Sequence, residues 1–99
     1  MAIGIGTQSL VTVASAGTAV VAGANSVEAH AVIITASKGN TGNLYIGDST
    51  VDSTTGAELA AGEAFIVNGD GEYVDLSTIY VDAATNGDTA RVQTSTKQA

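Results

Sequence analysis

Asn43-Leu44-Tyr45-Ile46-Gly47-Asp48-Ser49-Thr50 decides the reading of the fold, and it is echoed by Thr78-Ile79-Tyr80-Val81-Asp82-Ala83-Ala84-Thr85. Each stretch sets a Tyr between two aliphatic residues, then meets an Asp and small residues. That is a strand running into a turn. The two start thirty-five residues apart, and their flanks do not match. Two copies make no repeat array, so we read them as two strands in similar environments of one domain. Alternation along a strand sends each Tyr to the face opposite its aliphatic neighbours. Either set can face the core, and the other then covers the second face of the sheet or meets a partner.

Working outward, apolar residues mostly alternate, β-branched residues dominate the runs, and turn residues recur every eight to twelve positions. This pattern predicts an all-β domain of about seven to eight short antiparallel strands, a small β-sandwich or jelly-roll-like barrel. Strands are expected at 9–13, 18–22, 29–36, 43–47, 64–67, 78–82 and 89–94. Val32-Ile33-Ile34 is apolar on both faces and belongs in mid-sheet. Residues 48–56 read as a polar surface loop or edge and 58–63 as a tight bend before a strand, with one or two helical turns over 57–64 the alternative that Gly62 disfavours; Asn86-Gly87-Asp88 suits a type I′ hairpin turn. Residues 1–7 read as an extended N-terminal arm, of which 1–6 could lie along a neighbouring subunit, and 95–99 as a frayed tail.

The chain has 99 residues, enough for a single domain, with one Phe, three Tyr and no Trp. Seventeen Ala and twelve Gly make up much of the rest, so the core must be thin. A thin core at this length predicts help from oligomerisation or from docking on a larger body. There is no cysteine, hence no disulfide and no thiolate zinc site, and no proline to blunt strand edges. Ten acids against three bases give a net charge of −7. That argues against nucleic acid and anionic membranes as partners, and its plainest reading is solubility. The apolar run 10–24 is shorter than the roughly 20 residues of a membrane helix and has no basic residue before it. It reads as two short strands about a turn.

Candidate chemistry is sparse. Asn68-Gly69-Asp70-Gly71-Glu72 opens like a calcium loop, but the position of the bidentate Glu is Ile79. A looser site from Asp70, Glu72 and Asp75 is the alternative to an ordinary Gly/Asp turn. His30 is the lone histidine and reads as structural or surface. Gly4-Ile5-Gly6 lacks the Lys-Ser/Thr and the following helix of a phosphate loop. No Gly-x-Ser-x-Gly elbow is present, and chance carboxylate pairs among ten acids do not make a glycosidase. We expect no catalytic, cofactor-binding or metal-binding residues, and no enzyme.

The segments Lys38-Gly39-Asn40-Thr41-Gly42-Asn43-Leu44-Tyr45-Ile46-Gly47-Asp48, Leu59-Ala60-Ala61-Gly62-Glu63 and Ile79-Tyr80-Val81-Asp82-Ala83 with Asn86-Gly87 resemble small virion structural proteins of tailed bacteriophages. Ala61 stands where such proteins often carry Pro. The resemblance spans roughly 29–92 and implies a β-sandwich, often jelly-roll-like, with a structural role. It implies a capsid decoration, or cement, protein that docks on the assembled shell. Its partners would be the major capsid protein and copies of itself, for instance as a trimer. Its location would be the capsid surface of the virion, after synthesis in the host bacterial cytoplasm. A tail, connector or fibre component is the nearest alternative, and a carbohydrate- or host-surface-binding module one of another class.

Overall fold

The computed structural model describes residues 3–23, 29–69 and 72–97. Among the described residues eight strands form: β1 (Ile3–Thr12), β2 (Val20–Val21), β3 (Ala31–Ala36), β4 (Leu44–Gly47), β5 (Ala57–Leu59), β6 (Ala64–Asn68), β7 (Tyr80–Ala83) and β8 (Thr89–Lys97). A 3₁₀ turn covers Leu76–Thr78, and the Asp75 carboxylate caps it by accepting from Ser77 N. No helix among the described residues is long and apolar enough to cross a membrane.

The strands make two four-stranded antiparallel sheets, in the orders β1-β8-β3-β6 and β2-β7-β4-β5. The pairings β1–β8, β2–β7, β3–β6 and β4–β5 are nested. They describe one long hairpin, bent at the 48–56 connection and rolled up so that β3 meets β8 and β4 meets β7. This is the winding of a jelly roll, in an open sandwich rather than a closed barrel.

Alternation explains the core. On β3, Val32, Ile34 and Ala36 are buried while Ala31, Ile33 and Thr35 are half-buried. On β8, Ala90, Val92 and Thr94 point inward. The second sheet contributes Leu44, Ile46, Leu59, Val81 and Ala83, all part of one apolar cluster. The largest fully buried side chains are aliphatic, with Thr94 and Asp82, so the interior is as thin as the composition predicts.

Four expectations change. β1 begins at Ile3, and Ile3, Gly4 and Ile5 pair with Lys97, Thr96 and Ser95. The segments read as arm and tail are therefore partners of each other; 1–2 and 98–99 lie outside the described residues. The bend at 58–63 begins with a strand, β5, paired to β4. The connection through Asn86-Gly87-Asp88 is no hairpin, because β7 and β8 belong to different sheets. The strand expected at 18–22 is only two residues long, Val20–Val21.

Two glycines with positive φ occupy different surroundings. At Gly56 (φ +81°) a Cβ would press on the Ile46 carbonyl oxygen and lie 2.8 Å from Val51 Cγ2. At Gly17 (φ +88°) a Cβ would meet nothing within 4 Å. Left-handed backbone costs a non-glycine residue about 1–2 kcal/mol, and overpacking adds a similar amount. Gly56→Ala should therefore lose about 3 kcal/mol in urea unfolding and Gly17→Ala about 1 kcal/mol. Equal losses would refute the close packing at Gly56.

Candidate functional site

The two outer faces of the sandwich differ. The Tyr strands β4 and β7 lie side by side, with Tyr45 opposite Asp82 and Gly47 opposite Tyr80. Leu44, Ile46 and Val81 face the core, so Tyr45, Asp82 and Tyr80 point to the outer face. Yet Tyr45 is 7% exposed and Asp82 only 1%, because loops cover them. A Cβ on Gly47 would meet Val51 at 3.0 Å, which places the buried Val51 of the 48–56 loop over this face. The 13–19 loop covers Asp82: Ala16, Gly17, Asp52 and Ser53 gather with Asp82 and Ala84 around a small depression. Gly17 N donates to Asp82 Oδ1 at 2.9 Å, and so does Ala83 N at 2.8 Å.

The neighbouring corner is built the same way. Asp88, 6% exposed, accepts from Thr41 N at 3.0 Å and Gly42 N at 2.9 Å. Asn40 acts as a surrogate strand: its amide nitrogen donates to the Thr89 carbonyl at 2.8 Å, and its oxygen accepts from Thr89 N at 2.9 Å. Asn86 Oδ1 accepts from Ala16 N, while Val13 and the 87–88 backbone exchange two further bonds. Gly42 fits because a Cβ would lie 2.7 Å from Thr85 Oγ1. Bonds from amides to a buried carboxylate are charge-assisted and stronger than neutral ones. Removing one such carboxylate leaves orphan donors at about 1–3 kcal/mol.

This use of acid is general. Asp48 accepts from Thr50 N and Oγ1, Asp52 from Thr54 N and Oγ1, and Asp75 from Ser77 N and Oγ. Glu63 accepts from Ala60 N within its own bend. Every described Asp thus accepts a backbone amide. These aspartates are loop-holding groups, a role the charge balance alone did not suggest.

All of these carboxylates lie outside the first sheet. Its strands β1, β3, β6 and β8 contain no Asp or Glu, but hold Arg91 and Lys97. On its outer face Leu10, Arg91 and Ile66 are exposed, while Ile33 and Thr35 of the inner strand β3 are half-buried. Register sets Leu10, Arg91, Thr35 and Ala64 in one row across it. Gln8, Gln93, Ile33 and Ile66 form the next. Leu10 and Ile66 are each 62% exposed. A shallow depression of about 600 Å³ runs beside Gln8, Leu10, Thr35, Arg91 and Gln93. These residue types include no nucleophile–base pair; they suit broad contact with another surface.

The residues singled out by sequence fall elsewhere. His30, just before β3, is half-buried; its ring lies 5.0 Å from that of Tyr73, and its Nε2 is buried without a hydrogen-bond partner. Of the looser calcium set, Asp75 caps the 3₁₀ turn, Glu72 is exposed and Asp70 lies outside the described residues. Among the described residues no three His, Cys, Asp or Glu side chains gather to hold a metal ion. Gly4 to Gly6 is strand. Both Tyr rings lie outside the central core, Tyr45 beneath a loop and Tyr80 half-buried. The signal missed in sequence was the acid-free composition of four particular strands. No protein-family model matches the chain, and no curated protein or solved structure shows significant similarity to it.

The loop carboxylates carry a pH dependence. The Thr50 hydroxyl, then the Thr50 amide, lowers the pKa of Asp48 below its ordinary value; Thr54 does the same for Asp52. A lowered folded pKa adds stability that is present above the unfolded value of about 3.9. That stability is lost as pH falls through the lower folded value. In NMR titration both carboxyls should have midpoints below the ordinary Asp value, and Thr50→Val should raise that of Asp48 while leaving Asp52 unchanged. An unaltered Asp48 midpoint would refute the role of the hydroxyl.

Proposed function

We propose that the chain is a structural virion protein of a tailed bacteriophage, a capsid decoration protein that docks on the assembled major capsid shell and stabilises it. The observation that carries this reading is the bare, acid-free outer face of the first sheet on a chain of net charge −7. Acid elsewhere disfavours chance association, while this face can approach another protein without carboxylate repulsion from its own strands. Leu10, Ile33 and Ile66 supply apolar area there, and Gln8, Gln93 and Arg91 supply polar contacts.

Two further points support it. The motifs 38–48, 59–63 and 79–83 resemble small phage virion proteins. The jelly-roll winding is one that viral capsid proteins use, although lectins and cupins share it and fold alone is only an analogy. A thin core gains from a large neighbour, and a protein that binds only the assembled shell stabilises that shell by mass action. Many copies on one particle multiply weak contacts. The non-enzymatic reading is supported by the open depression beside Arg91, whose lining sets no general base next to a hydroxyl. Of the aromatic residues only Tyr73 is strongly exposed, at 60%, which gives a sugar platform little to build on.

The test is sedimentation with purified, undecorated capsids of the phage that encodes the chain. The protein should pellet with shells to a saturating ratio and raise the temperature at which they break. Leu10→Glu, which puts a carboxylate on the bare face without touching the core, should weaken binding at least tenfold. A protein that stays in the supernatant, or binds equally well as Leu10→Glu, overturns the reading.

A further inference from the structure

A jelly roll leaves four edge strands, and three of them here are blunted. β2 has two residues, β5 has three and carries Glu58, and β1 is interrupted by a register shift between Ile5 and Gln8. Short length, charge and bulges are the usual guards against edge pairing. β6 has none of them. It is Ala64-Phe65-Ile66-Val67-Asn68, with five residues, no charge, no proline and an unbroken register to β3.

The ladder fixes which backbone groups point outward. Ala36 N donates to the Glu63 carbonyl and Gly69 N to the His30 carbonyl, at either end of the β3–β6 pairing. Antiparallel alternation then turns the N–H and C=O of Phe65 and Val67 toward β3. Those of Ala64 and Ile66 face away from the sheet. Ile66 is also among the most exposed large apolar side chains, and Phe65 is half-buried at the same edge. Glu63, the nearest acid, is turned back to accept from Ala60 N at 2.7 Å.

We propose that β6 is a self-association edge: two copies of the chain pair β6 to β6, antiparallel about a two-fold axis at Phe65. In this register Ala64 of each copy exchanges both backbone bonds with Ile66 of the other. The two Phe65 rings meet as a close cross-strand pair on the core side. A single eight-stranded sheet results, its outer face continuous across the axis. Charge supports a second copy as the occupant. Two chains of net −7 repel, and β6 lies in the sheet whose four strands carry no Asp or Glu; Glu63, which would stand opposite Val67 of the other copy, has its carboxylate held by Ala60 N. An isologous contact of this kind is self-complementary and closes at two. The inference rests on the edge and not on the virion reading.

Five residues of edge span about 17 Å, at the small end of specific interfaces. Assembly is therefore read by light scattering on a sizing column from about 1 μM to about 1 mM. The mass should rise from 9.7 kDa toward twice that value. Ile66→Lys, at an exposed position, should stay at the single-chain mass with an unchanged circular dichroism spectrum. Leu10→Lys, at the far side of the same sheet, should still double. The chain has no cysteine, so Phe65→Cys should give a disulfide-linked dimer on mild oxidation and Leu10→Cys should not. A wild-type chain that is monomeric throughout, a discrete trimer, or a doubled mass that Ile66→Lys leaves intact overturns the proposal. So does a dimer lost in Leu10→Lys and kept in Ile66→Lys, which would place the contact on the face.

Discussion

Asp88 and Asp82 receive backbone amides from loops that begin in the other sheet or on the far side of their own, and the stacking of the sandwich depends on this. The chain changes sheets between β7 and β8. At that crossing Asp88 holds Thr41 and Gly42, and Asp82 holds Gly17. Asn40 and Asn86 add bonds to Thr89 and Ala16. Three sheet-to-sheet connections are thereby fastened at one end of the molecule. A thin Val/Ile/Ala core has little spare stability, so fixed loops matter more here than in a protein with a broad aromatic interior.

That device has a consequence for the surface. Aspartates that hold loops cannot also line the strands of the first sheet, and the loops they hold lie over the second sheet. One face becomes acidic and covered, with Tyr45 and Asp82 beneath it. The other is bare and free of carboxylates, with Leu10 and Ile66 exposed. A soluble-looking composition, 13% charged and strongly acidic, conceals this polarity. The proposed docking role and the β6 edge both follow from it, one using the face and the other its border.

Much of the fold was legible in the sequence, because period-two alternation is a local signal. β3, β4, β6, β7 and the start of β8 stand within a residue or two of their expected positions. What was not legible depends on partners remote in sequence. Gly4 and Gly6 make β1 look like a loose arm, and Ser95 to Lys97 look like a tail, until each is seen to be the other's partner. Ala57-Glu58-Leu59 has helical propensity, and its pairing with β4 overrides it. Asn86-Gly87-Asp88 has hairpin chemistry but joins two sheets, since Asp88 is drawn inward to the Thr41 and Gly42 amides. The orientation of Tyr45 was undecidable from alternation alone. Leu44 and Ile46 take the core side and send Tyr45 outward, and at Gly47 and Gly56 the missing side chains leave room for Val51 against the sheet.

The hold of the buried carboxylates on these loops can be measured without changing the protein. Hydrogen–deuterium exchange by NMR reports each amide separately. The amides of Gly17, Thr41 and Gly42 sit in loops, where exchange is ordinarily fast, yet here they donate to Asp82 and Asp88. All three should exchange as slowly as the amides of the sheet ladders, opening only with the whole domain. Exchange at the rate of an unstructured chain at these three positions would contradict that hold.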